Sequence, residues 1–169
     1  IHNGKYTMAT KLRQSPPVCL VISLLQLLTG QLRYSKQYAG KMIRMEDGGN
    51  FTIFRHITIK PDKKDQVETV FIVSFKFSKL SHKANKIASI IPMLLIAGFP
   101  GFTTKIYAVN YKNGYWQGMY QWKTQKHLED YLESFVYKVM NKRAIKETIS
   151  SRRYRNQLLT NYVDSNEIR

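Results

Sequence analysis

Between residues 68 and 151 the apolar residues switch back and forth between the period of a strand and the period of a helix. The order of those switches leaves few folds open. Residues 70–77 alternate, placing Phe71, Val73, Phe75 and Phe77 on one face, as in a strand. Ile87, Ile90, Ile91, Leu94 and Leu95 then recur at i, i+3, i+4, i+7 and i+8, one face of a helix. Pro92 inside that run predicts a kink or a restart, and Gly98-Phe99-Pro100-Gly101 ends it. Residues 102–110 read as a second strand. Asn113-Gly114 turns it into a third at 115–122, because glycine accepts the positive φ of a tight hairpin turn. Thr124 is placed to cap a second helix, whose Leu128, Tyr131, Leu132, Phe135, Val136, Val139 and Met140 share a face. Residues 145–151 supply a fourth strand.

The order β-α-β-β-α-β, with its hairpin in the middle, predicts an α+β fold of ferredoxin-like type over residues 68–151. Residues 1–67 read as an N-terminal extension containing an apolar helix at 18–28 and a β-hairpin at 41–59. That hairpin turns at Glu46-Asp47-Gly48-Gly49 and is followed by the charged loop Pro61-Asp62-Lys63-Lys64-Asp65. Residues 152–169 read as a polar C-terminal tail with room for a short helix at 156–162. The apolar run VCLVISLLQLL at 18–28 is shorter than the ~20 residues a bilayer crossing needs. Three readings fit it. It could be a helix buried against the domain, with Ser23, Gln26 and Gly30 as a narrow polar stripe. It could rest on a membrane surface. It could be a targeting segment, with Lys11 and Arg13 ahead of it.

The net charge of +16 invites an anionic partner, nucleic acid or anionic lipid. No single segment carries the excess, so a solvated basic surface explains it as well. An RNA-recognition strand would carry a basic-Gly-aromatic-Gly-aromatic run, and Gly114-Tyr115-Trp116-Gln117-Gly118-Met119-Tyr120 does not match it. One cysteine, Cys19, excludes an intramolecular disulfide, and His2, His56, His82 and His127 show no ligand spacing. No metal and no cofactor is expected.

Trp116, Tyr120 and Trp122 stand together at period two on the third strand, with Met119 opposite. On an open sheet so much aromatic area would be unusual for a monomer. Core packing or a second copy of the chain, a flat ligand, or stacked RNA bases would cover it.

The segment Gly98-Phe99-Pro100-Gly101-Phe102-Thr103-Thr104-Lys105, then Gly118-x-Tyr120-x-Trp122, then a helix with Tyr131-Leu132, resembles the dimeric α+β barrel superfamily. Within it the chain is most similar to the YdhR-like monooxygenases, relatives of the antibiotic-biosynthesis monooxygenases. The resemblance implies a homodimer with a ligand cavity between sheet and helices. It also implies cofactor-independent oxidation of electron-rich phenols, the substrate itself reducing oxygen. Haem-degrading members carry a tryptophan in the second helix and a histidine ligand about three turns on. The corresponding positions here are Tyr131 and Asn141, so no haem is expected.

The function expected is therefore that of a cytoplasmic, monooxygenase-like protein binding a small apolar or aromatic molecule. Whether it is catalytic stays open. The alternative is a non-catalytic interaction module with its basic surface on nucleic acid or an anionic membrane, peripheral through residues 18–28. The ligand pocket is expected from Phe71, Phe75, Phe102, Trp116, Trp122 and Tyr131. A base or hydrogen-bond donor for a phenol could come from His56, His127, Tyr107, Tyr120 or Lys105, no two of which form a catalytic pair by spacing. Lys105 reads as a solvated strand residue.

Overall fold

Alternating β-branched and aromatic residues pair into a seven-stranded antiparallel sheet in the computed structural model, which describes residues 3–45, 48–60 and 69–168. His2, the Glu46-Asp47 turn and the charged loop at 61–65 lie outside those residues. The strands are β1 (Leu32–Tyr34), β2 (Met42–Arg44), β3 (Asn50–Ile59), β4 (Thr69–Phe75), β5 (Phe102–Val109), β6 (Trp116–Trp122) and β7 (Ser150–Arg155). Their order is β1-β3-β5-β6-β4-β7, and β2 shares the outer edge of β3 with β1. The helices are α1 (Asn3–Arg13), α2 (Pro16–Leu28), α3 (His82–Ala88), α4 (Ile90–Ala97), α5 (Gln125–Glu133), α6 (Phe135–Lys142) and α7 (Leu159–Asn166). The run from β4 to β7 is the ferredoxin-like unit, with neighbours β7-β4-β6-β5.

The hairpin arms at 41–45 and 50–59 pair as the turn residues foretold, with Met42 opposite Thr52. The extension is nonetheless built into the sheet, because β3 pairs with β5 from Thr52 opposite Val109 to Thr58 opposite Thr104. That makes β5 an interior strand, buried along its whole length.

Both long helices of the ferredoxin unit are broken by a serine. Ser81 caps α3, accepting from the Ala84 amide (3.3 Å), and the chain restarts at Ile90. Pro92 falls in the first turn of α4, where a missing N–H costs nothing. Two arginines meet the end of α3: Arg55 Nη2 donates to the Lys86 carbonyl (2.9 Å) and Arg143 Nη1 to that of Ala88 (3.3 Å). The break shifts the helical phase. Ile87, Ile90 and Ile91, expected inside, face solvent, while Met93, Leu94, Ile96 and Ala97 are buried. Ser134 likewise separates α5 from α6, accepting from the Tyr137 amide (3.2 Å).

Pro16 and Pro17 start α2 rather than merely stopping what precedes them, since proline's fixed φ suits the first helical positions. The helix is half buried, and its polar stripe is turned inward. Cys19 and Ser23 are fully buried, while Val21, Leu24, Leu25 and Leu28 are exposed. Close approach sets this rotation. A Cβ on Gly98 would lie 1.8 Å from the Cys19 carbonyl oxygen, so only small residues fit that seam. No helix among the described residues is long and apolar enough to cross a membrane.

Each face of the sheet carries a core. On the helix face Phe71, Met93, Phe99, Trp122, Leu128 and Tyr131 pack together. On the other, Tyr38, Ile43, Ile72, Ile106 and Met119 pack beneath α7. Here two expectations need correction. The fourth strand lies at Ser150–Arg155 rather than 145–151, and its exposed arginines suit a solvated sheet edge. The short helix expected at 156–162 of the polar tail lies instead at Leu159–Asn166, as α7, and it is a core element, with Leu159, Tyr162 and Val163 buried. Gln121 Oε1 accepts from the Leu159 amide (2.6 Å), pinning the start of α7 to β6. The second sheet face is thus covered from within the chain, while Trp116, Tyr120 and Trp122 lie on the helix side. Leu159→Ala should cost about 2–5 kcal/mol, read as a lower urea midpoint; an unchanged midpoint would show that α7 is not part of the core.

Candidate functional site

Gly118 is the one residue of the β6 aromatic row without a side chain, and it leaves a gap on the helix face. Its neighbours across the sheet are Tyr107 on β5 and Val73 on β4. A Cβ there would meet the Tyr120 ring at 2.8 Å. Above it lies a cavity of about 30 Å³ walled by Phe75, Tyr107, Trp116 and Tyr120, with Pro92, Met140 and Arg143 at its helix side. That is room for a water molecule or two. Pro92 from α4 and Met140 from α6 form the roof, so a larger ligand must part these helices; the unbranched thioether of methionine yields readily.

Lys105 also lines the cavity and is 1% exposed, which corrects its reading as a solvated strand residue. Among the described residues its amine has no carboxylate or hydrogen-bond partner. Nζ sits instead over two rings, 4.1 Å from the centre of Tyr107 and 4.2 Å from that of Tyr120. These contacts favour the ammonium by ~1–2 kcal/mol each. Removing an ammonium from water costs several kcal/mol, and the Arg55 charge repels it further. Burial therefore wins, holding the amine well below its ordinary lysine range, with Arg55 as the smaller cause. A lysine shifted in this direction gains the character of a base and a nucleophile.

Two tyrosines complete the polar lining. The Tyr107 hydroxyl is buried without a hydrogen-bond partner. Burial, reinforced by Tyr120, pushes the Tyr107 phenol well above its usual range, and burial likewise raises Tyr120. Both remain neutral donors. Arg55 lies over the Tyr107 ring (5.2 Å) and is held by Ser89 Oγ (2.8 Å).

The other expected site residues scatter. Phe75 and Trp116 line the cavity, and the Trp116 indole N–H donates to His82 Nδ1 (3.0 Å). Phe71, Phe102, Trp122 and Tyr131 form the adjoining core instead, with Trp122 stacked on Tyr131 at 4.7 Å. His127 is at the cap of α5, its Nδ1 2.9 Å from Thr124 Oγ1, away from the cavity lining. His56 lies across the sheet, under Tyr38. Gly118, Pro92 and Met140 read as a motif, a helix-break and a helix-face residue, with nothing in their spacing to place them round a cavity.

His56 is a structural histidine with a pH signature. Thr104 Oγ1 donates to the Ile57 carbonyl (2.8 Å). It therefore accepts from His56 Nε2–H (3.0 Å), which leaves Nδ1 bare and buried. Burial lowers the His56 pKa to about 4. The unfolded chain takes up this proton near pH ~6.5, the folded one only near 4, so stability is full above the first value and falls toward the second. A loss of roughly 2 kcal/mol across that window is expected, discounted for partial solvent access. It should shrink in His56→Leu; an identical acid limb in the two proteins' urea midpoints would contradict it.

No protein-family model and no curated protein matches the chain. Solved structures do. An uncharacterized ferredoxin-fold protein related to antibiotic biosynthesis monooxygenases, from Listeria monocytogenes 4b F2365, superposes with a TM-score of 0.51 at 9% identity, over 80% of this chain and 88% of its own. A heme-degrading enzyme from Listeria monocytogenes gives 0.50 at 10% identity, over 79% and 92%. An anthrone oxidase-like protein aligns at 17% identity with a TM-score of 0.41, over 64% of this chain; the chain spans about half of its length, 52%. At these identities the likeness is one of fold, the ferredoxin-like fold of the antibiotic-biosynthesis-monooxygenase relatives. A haem does not suit the cavity found here: it holds about 30 Å³ and no histidine lines it, while Tyr131 is fully packed.

Proposed function

We propose that the chain binds a small, flat apolar or aromatic molecule between β4–β6 and helices α4 and α6, and acts on it in a monooxygenase-like way without a cofactor. The observation that carries this reading is the ring-walled gap over Gly118 with an unpartnered amine inside it. Aromatic walls with few convergent polar groups are the usual make-up of a ligand pocket. The lone pair of Lys105 would take the proton of an acidic phenol or activated ring methylene, as a general base must. In the balanced reaction a ring methylene and dioxygen give a ring ketone and water, the substrate supplying all four electrons. The reading places the protein in the cytoplasm as a homodimer. The aromatic row of β6 lies under the helices, so it offers no open platform for stacking RNA bases.

Titration with a panel of phenols, anthrones and quinols in air, following tryptophan fluorescence and oxygen uptake together, tests both parts. Quenching through Trp116 with oxygen consumption supports binding and oxidation. Quenching alone leaves a binder, and silence in both signals across the panel overturns the reading. Mass in solution tests the dimer, which a strict monomer would exclude.

A further inference from the structure

We propose that Lys105 is a covalent attachment site, whose amine forms an imine with a small aldehyde or ketone held over Gly118. The proposal rests on the cavity reading above and names a ligand class for it. Lys105 is the one buried lysine among the described residues. Exposed lysines are ammonium ions near neutrality and react slowly with carbonyls. Lys126, for example, is 79% exposed and paired with Asp130 (2.9 Å). The Lys105 amine has no such partner, faces the cavity, and is fixed over two ring planes. Desolvation in an apolar pocket is how lysine nucleophiles are made reactive.

The chemistry closes on groups present in the cavity. The amine lone pair adds to the carbonyl carbon, forming the C–N bond, and the carbonyl oxygen takes up a proton. Tyr107 is the donor at hand, because its hydroxyl is buried, un-ionised and without a partner. The carbinolamine then loses water, the amine nitrogen giving up its protons as the C=N bond forms. Aldehyde plus amine gives imine plus water, with no oxidant or reductant consumed. The rings of Trp116 and Phe75 would flank a planar carbonyl compound. Their walls favour a conjugated aldehyde over an aliphatic one of equal length.

Reductive trapping tests this. The full chain is incubated at pH 6.5 with acetaldehyde or benzaldehyde and cyanoborohydride, and labelled peptides are mapped by mass. Acetaldehyde asks little of the roof; benzaldehyde asks whether it opens. Modification of the Lys105 peptide at least ten times faster than that of the Lys126 peptide is the expected result, lost in Gly118→Ala. Label spread over exposed lysines with Lys105 spared by both aldehydes overturns the proposal. Phenol binding, followed by fluorescence in the same samples, separates the two readings. If phenol binds while Lys105 stays unlabelled, the imine is wrong and the pocket stands. If neither occurs, both fall.

Discussion

Replacing Lys105 with methionine is expected to stabilise the protein and silence its pocket in one step. Methionine fills nearly the same volume and keeps the contacts to the Tyr107 and Tyr120 rings, but it brings no donor that must be left unbonded. Burying a polar group without a hydrogen bond costs about 1–3 kcal/mol, a cost that methionine does not carry. A second contribution depends on pH. Burial holds the folded-state amine well below its ordinary range, whereas the unfolded chain protonates it up to about pH 10.4. Between those limits the unfolded state carries one more proton, so wild-type stability rises with pH by up to ~1.4 kcal/mol per unit. The variant lacks that slope. Urea midpoints measured from pH 7 to 10 should show the variant ahead at pH 7 and the gap closing as pH rises. Phenol-dependent oxygen uptake and aldehyde trapping should both be absent from it. A variant less stable than wild type, by a margin independent of pH, would mean that the amine is charged and paired, and the base and imine chemistry would fall with it. Stability gained together with function lost is the mark of a residue retained for its chemistry.

The ferredoxin unit was readable because its strands alternate aromatic residues and its turns carry glycine where φ must be positive, as at Gly114 (φ 78°). The helical faces were not. Ile87 to Leu95 fit one stripe only if the helix is continuous, and the break at Ser89 turns the isoleucines outward. A short polar residue that caps a helix in one context looks like ordinary surface in another. On α7, Leu159, Tyr162 and Val163 recur at i, i+3 and i+4, enough to suggest the short helix but too short a stripe to show that it packs on the sheet. Lys105 is the deeper case. With β5 at the edge of a four-stranded sheet, a lysine beside Thr103 and Thr104 would be solvated. The pairing of β3 with β5 encloses it, and the register of two strands distant in sequence does not show in local spacing. The candidate site was legible as a cluster of rings, and a cavity between sheet and helices was implied by the resemblance, but its place over Gly118 was not.

Gly118→Ala should close that cavity while leaving the sheet intact. The β6 backbone at Gly118 pairs on both sides, with Val73 and with Tyr107, and alanine suits an extended strand, so the ladders survive. The new methyl group, however, would stand 2.8 Å from the Tyr120 ring and 3.0 Å from its hydroxyl. Tyr120 is fully buried against Phe71 and Tyr131, so it has no free space behind it and must tilt into the gap that Lys105 faces. Overpacking of this kind costs about 1–3 kcal/mol, which should appear as a lower urea midpoint with unchanged far-ultraviolet dichroism. Phenol affinity and the rate of aldehyde trapping at Lys105 should each fall by ~100-fold or more, since each 1.4 kcal/mol lost is a factor of ten. Gly98→Ala supplies the control. It introduces a harsher conflict at the α2–α4 seam, 1.8 Å from the Cys19 carbonyl oxygen, at the opposite end of α4 from the cavity-lining Pro92. If both variants lose stability but only Gly118→Ala loses binding, the gap over Gly118 is the site. If the two lose binding in proportion to stability, the ligand senses only the fold, and the pocket has been misplaced.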